Sequence, residues 1–135
     1  MLRRVYTTVI HRALFKGSIG DSAVDQAAVN EKCVLTLKEF KEIEKICNQQ
    51  QVKCLFVLIP SRECIYDFNP QKRAWGQLCA LLKENGIVFV DLAPAMERAI
   101  HSGEKIFSAI DPHLTKVGNK VAAQALSDYL VFPQK

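Results

Sequence analysis

Asp111 and His113 flank a single proline in the stretch "SAIDPHLTKVGNKVAAQALSDYL", residues 108–130. In an extended backbone, residues i and i+2 point to the same side, and a proline biases the residue before it toward β or polyproline geometry. The two side chains can therefore project together, with the carboxylate orienting the imidazole and stabilising its protonated form. A general base needs that arrangement when it takes a proton from a hydroxyl nucleophile. The same residues also make an ordinary helix start, with Asp111 as N-cap and Pro112 at the first helical position. Helix caps far outnumber catalytic pairs, so the spacing alone leaves both readings open, and a nucleophile has to be sought.

Two side chains come into question. Ser22 lies in "IGDSAV", residues 19–24. A nucleophilic serine needs a strand that delivers it to a sheet edge, plus donors for the developing oxyanion. Upstream, "HRALFKGS" interrupts any buried strand, and before the helix expected at Thr36 there is no room for further strands. Ser22 is accordingly read as part of a loop or cap, and no nucleophile is identified. Cys64 follows an apolar strand by a few residues and has Arg62 nearby, which could favour a thiolate. A plain loop cysteine is the better reading. Asp91, at a strand end, reads as a structural hydrogen-bonding carboxylate, and His11 and His101 read as surface positions on or near helices.

The elements that must position these groups follow from periodicity. "TLKE" at Thr36 is a capping box, and Leu37, Phe40, Ile43 and Cys47 then repeat on one helical face. "KCLFVLIP" is apolar without alternation, as expected of a strand covered on both faces. "SRECIYDFN" reads as a loop. Asn69-Pro70 opens a helix with Trp75, Leu78, Cys79 and Leu82 on one side, and Gly86 ends it. "IVFVDL" is a second short strand. "APAMERAIHSG" is a short helix, and a last helix spans about Thr115 to Leu130 with Val117, Val121, Ala125 and Leu126 inward. Helix, strand, helix, strand, helix is the order of βαβ units in a parallel sheet. Two strands are fewer than a doubly wound sheet normally has.

The 135 residues predict a single domain, 1–135, with an N-terminal helix and loop over 1–35 and an α/β core over 36–135. With 49% hydrophobic and 24% charged residues the composition is that of a globular chain with a real core. No apolar run approaches the roughly 20 residues that span a bilayer. The net charge of +4 is modest and its basic residues are interleaved with acids, as in "KEFKEIEK", so no nucleic-acid partner is expected. The five cysteines, at 33, 47, 54, 64 and 79, are odd in number and contain no CxxC. They suit buried thiols in a reducing compartment better than a disulfide frame or a metal site, and no cofactor is implied. The first twenty residues carry four basic side chains and no acid, which a mitochondrial presequence would also show; a basic amphipathic helix is the plainer reading. Thr, His and Arg interrupt any secretory signal core, so no localisation follows.

Four segments in order resemble the C-terminal half of an SGNH/GDSL hydrolase-like domain. "CLFVLIPSRECIY" resembles a late core strand and its following loop, and "ENGIVFVDLAPAMERAI" the next strand with its Asp-Leu ending. "EKIFSAIDPHLT" resembles the block that completes the triad, and "VGNKVAAQALSDYL" the closing helix. The resemblance covers about residues 36–130 and implies a partial doubly wound, flavodoxin-like parallel sheet flanked by helices. It matches Asp111 to the triad acid and His113 to the base, while the family's serine, glycine and asparagine blocks find no counterpart. It places Ser61 and Arg62 at the substrate cleft without a fixed role. The implied activity is ester hydrolysis or acyl transfer on an ester or acylated small molecule or glycan, with little activity from this chain alone. The alternative is a non-catalytic α/β module that self-associates or pairs with a partner chain supplying a missing half.

Overall fold

The computed structural model describes residues 6–9, 26–66 and 69–131. At its centre lies β2, Cys54–Leu58, the strand read from "CLFVL". It pairs in parallel with β1, Tyr6–Val9, on one side and with β3, Phe89–Asp91, on the other, so the sheet order is β1-β2-β3. Thr8 stands opposite Phe56, and Val57 opposite Val90.

The lack of alternation in β2 has a direct cause: both of its faces are covered. Phe56 and Leu58 pack into a cluster with α1, Gln26–Gln49, through Val29, Cys33, Leu37 and Phe40. The same cluster takes Ala74, Leu78, Cys79 and Leu82 of α3, Asn69–Glu84. The rings of Phe40 and Phe56 meet with centroids 4.2 Å apart. Leu55 and Val57 point the other way, into a second cluster with Val90, Leu92, Ile106 and Phe107. Met96 of α4, Ala93–His101, completes it, and α5, Lys116–Val131, lies over it with Val121, Ala122, Ala125 and Leu126. The chain is thus a mixed α/β protein, mostly helical, with a small parallel sheet between two helical layers. Successive crossovers that step the same way along a parallel sheet place their helices on one face, which is why α1 and α3 lie together.

Several expectations are corrected. A strand occupies Tyr6–Val9, where a basic helix is expected; the β-branched run Thr7, Thr8, Val9 suits pairing beside β2. The loop expected within residues 1–35 does not reach the end of that range, because α1 already starts at Gln26. Val29 and Cys33 lie one helical turn apart and extend the stripe of Leu37 and Phe40 backward, which outweighs the capping box. Thr36 is therefore buried within the helix, and its hydroxyl donates to the Lys32 carbonyl at 2.9 Å. "SRECIYDFN" contains a single helical turn, α2, Arg62–Ile65. On α5 the inward stripe runs through Gly118 rather than Val117, which is exposed. The glycines past α3 and α4 behave as the sequence requires: Gly86 and Gly103 have φ of 71° and 90°, closing each helix in the left-handed region.

Candidate functional site

After α4 the chain folds back on itself. Phe107 and Leu114 form an antiparallel bridge, the Ser108 amide donates to the His113 carbonyl at 2.9 Å, and the Thr115 amide donates to the Ile106 carbonyl at 2.8 Å. The tip of this turn carries Ile110, Asp111 and Pro112, with His113 at its return. Its base rests on the sheet through Ile106 and Phe107, both buried.

Asp111 and His113 do come together. Asp111 Oδ1 accepts the His113 amide at 2.9 Å and lies 3.2 Å from His113 Nδ1. The pair is open to solvent, with His113 at 70% and Asp111 at 50% side-chain exposure. The His113 amide is the main cause that holds the Asp111 carboxyl below its usual range; contact with the imidazole and the Ser108 hydroxyl act in the same direction. When Nδ1 donates to the carboxylate, Nε2 is the ring nitrogen left with a lone pair. Among the described residues, no hydroxyl or thiol is hydrogen-bonded to it.

The helix-start explanation of Asp111 does not hold. α5 begins at Lys116, and Thr115 caps it by accepting the Gly118 amide at 3.1 Å. The Thr115 hydroxyl donates in turn to the Lys105 carbonyl at 2.6 Å, tying the helix start to the ascending arm of the turn. Asp111 lies four residues upstream of that cap, and its backbone contact is an Asx-type turn that shapes the tip. The capping signal was present as Thr115 three residues before Gly118, masked by the more familiar Asp-Pro pair.

The neighbouring segment comes from the carboxyl end of β2. Ser61 caps α2, accepting the Cys64 amide at 3.4 Å and donating to the Cys64 thiol at 3.3 Å. Cys64 is buried, not a loop thiol, and burial is the chief cause that pushes its pKa up. A buried thiol pushed away from ionisation is a poor nucleophile. Arg62 reaches across to the turn, donating from Nη1 to the Ser108 carbonyl at 3.4 Å, and its guanidinium lies 5.8 Å from the Tyr66 ring centroid. Tyr66 meets Phe107 edge-on at 6.1 Å. Tyr66, Ser108 and Ile110 thus join the site without having been singled out by any motif.

Asp91, at the end of β3, is the structural carboxylate expected. It accepts Trp75 Nε1 at 3.2 Å and the Ala93 amide at 2.9 Å, linking β3 to α3 and to the start of α4. The Cys79 thiol lies against its other oxygen at 3.7 Å, and burial, then the Asp91 charge, pushes that thiol up to about 12. His101 is exposed on α4 with Nδ1 at 2.7 Å from the Glu97 carbonyl. Ser22 and His11 lie outside the described residues. Among the described residues no three His, Cys, Asp or Glu side chains cluster as metal ligands, and no helix is long and apolar enough to cross a membrane.

Comparison with family models, with curated proteins and with solved structures finds no match to this chain.

Proposed function

We propose that the chain carries the acid/base portion of an SGNH-type ester hydrolase or acyltransferase site, built on part of a flavodoxin-like doubly wound sheet. The observation that supports this most directly is the Asp111–His113 contact on a turn whose helix-capping duty falls to Thr115. In this reading His113 Nε2 takes the proton of a hydroxyl as its oxygen bonds to the ester carbonyl carbon. The bond to the leaving alkoxide then breaks, and that alkoxide receives the proton from the imidazolium. Asp111 keeps the ring in its Nδ1–H tautomer and stabilises the transient charge. In this reading the serine and the oxyanion donors are supplied by a partner and not by this chain, so the purified chain works only slowly, with water as the nucleophile.

The test is hydrolysis of p-nitrophenyl acetate by the folded wild type, His113→Ala and Asp111→Asn, alongside fluorophosphonate labelling that includes Ser22→Ala. The expected result is a slow hydrolysis that drops by roughly a hundredfold or more in His113→Ala, the low end for general-base contributions, and by a smaller factor in Asp111→Asn. No stable fluorophosphonate adduct is expected. Equal hydrolysis by all three proteins would remove the acid/base reading. An adduct that disappears in both Ser22→Ala and His113→Ala would overturn the absence of a nucleophile.

A second reading, a non-catalytic module that pairs with another chain, draws on Ile110. This residue is 96% exposed at the tip of the turn, the most exposed large hydrophobic residue among the described residues. Light scattering of wild type and Ile110→Ser separates the two. Self-association relieved by the substitution would favour the module.

A further inference from the structure

Among the described residues, Arg62 is the cation whose side chain bonds the turn that carries the dyad, and the way it is held leaves most of its donors available. A guanidinium presents five N–H groups in a fixed fork. Here a single Nη1 contact, long at 3.4 Å, goes to the Ser108 carbonyl, and the guanidinium carbon lies over the Tyr66 ring, 5.8 Å from its centroid. No carboxylate forms an ion pair with Arg62 among the described residues, whereas Lys45 and Lys72 both have one. Arg62 is exposed and Tyr66 is 43% exposed. Ser108, which receives the guanidinium on its carbonyl, also pairs with His113 through its amide and supports Asp111 through its hydroxyl. One residue therefore connects the free fork to the dyad.

From this juxtaposition we infer that Arg62 is a specificity-determining residue that receives an anionic group, a carboxylate or phosphate, on an ester whose carbonyl faces His113. The chemistry follows from the fork. Arginine takes planar oxyanions bidentately, and the exposed guanidinium beside the Tyr66 ring keeps the donors that Ser108 does not use. Tyr66 contributes orientation through its ring, and Phe107, packed edge-on behind it, fixes that ring to the core. The inference rests on the acid/base reading for what the dyad does. The binding of the anion is independent of turnover.

The experiment uses two small esters as probes, monomethyl succinate, which bears one carboxylate, and dimethyl succinate, which bears none. Each is titrated into the whole chain while Arg62 Nε–Hε and the Ser108 and His113 amides are followed by NMR. The monoester is expected to shift these three signals with saturation, and the diester to leave them in place. Arg62→Gln should weaken the monoester by roughly fivefold, the upper range for one solvent-exposed charged contact. Arg62→Lys, which keeps charge but loses the fork, should fall between. Circular dichroism of both variants establishes that they are folded. Equal affinity in wild type and Arg62→Gln, equal binding of the two esters, or shifts confined to other lysines and arginines would each overturn the inference. Failure of the acid/base reading shows separately, as equal ester hydrolysis in the dyad variants with the Arg62-dependent binding still present.

Discussion

At the scale of single residues, the decisive contact is the shortest one Asp111 makes, to the His113 backbone rather than to its ring. The amide at 2.9 Å remains whatever side chain stands at position 113, while the ring nitrogen at 3.2 Å does not. Asp111 should therefore titrate below the ordinary aspartate range near 3.9, and should stay depressed in His113→Ala because the largest cause of the shift survives. The sign of the linkage follows. A carboxyl whose folded pKa is lowered contributes stability that is present above its unfolded pKa, and that contribution is lost as pH falls through the folded pKa. The turn should hold its shape throughout the neutral and mildly acidic range and loosen only when Asp111 is protonated. A carbon-13 titration of the Asp111 carboxyl in wild type and His113→Ala reads this directly. An ordinary aspartate midpoint in the wild type would mean that the Asx-type turn does not persist in solution.

At the scale of elements, the site depends on how α5 meets the turn that precedes it. Gly118 is buried, and a Cβ there would collide with the Ile106 carbonyl oxygen, a backbone atom that accepts from Thr115 and cannot step aside cheaply. Gly118→Ala should cost about 1–3 kcal/mol, the usual range for overpacking, and should displace the start of α5 from the dyad turn. Thr115→Ala should cost about 1 kcal/mol through loss of the cap, with Thr115→Ser recovering most of it. Urea unfolding of the three variants tests both, and an unchanged midpoint in Gly118→Ala would show that α5 does not sit this close. These features also mark what was legible beforehand. The apolar strand β2, the face of α3, the short helix α4 and the glycines that end those two helices all follow from local pattern. So does the Asp111–His113 approach, which needs only two residues and the proline between them. What escaped depends on contacts made far along the chain. β1 is too short and too polar to read as a strand until β2 offers it an edge. The first turns of α1 have a weak stripe until Ala74 and Leu78 lie against it, and Tyr66 gains its role only when the turn carrying Ser108 folds back beside Arg62.

At the scale of the whole molecule, one thin sheet separates two apolar clusters, and β2 is the partition that both share. Phe40 and Phe56 lie on one side in direct contact, whereas Met96 lies on the other among Leu92 and Ile106. Residues in contact couple when mutated together, and residues without shared partners add. Phe40→Leu with Phe56→Leu should therefore depart from additivity by about 0.5 kcal/mol or more. Phe56→Leu with Met96→Leu, on opposite faces, should add to within about 0.5 kcal/mol. Met96→Leu conserves volume and should cost less than about 1.5 kcal/mol, while each Phe→Leu change keeps an apolar side chain in place of the ring and leaves a smaller cavity than alanine would. Two-state urea transitions for the single and double variants give both coupling energies. If the pair on opposite faces couples as strongly as Phe40 with Phe56, the sheet is too narrow to insulate one layer from the other. A ligand held at Arg62, on the side of the Tyr66–Phe107 contact, would then be felt in the α1–α3 layer as well. If only the same-face pair couples, the dyad turn and its supporting α4–α5 layer form a unit that responds on its own, and changes at the site should leave the packing of α1 against α3 undisturbed.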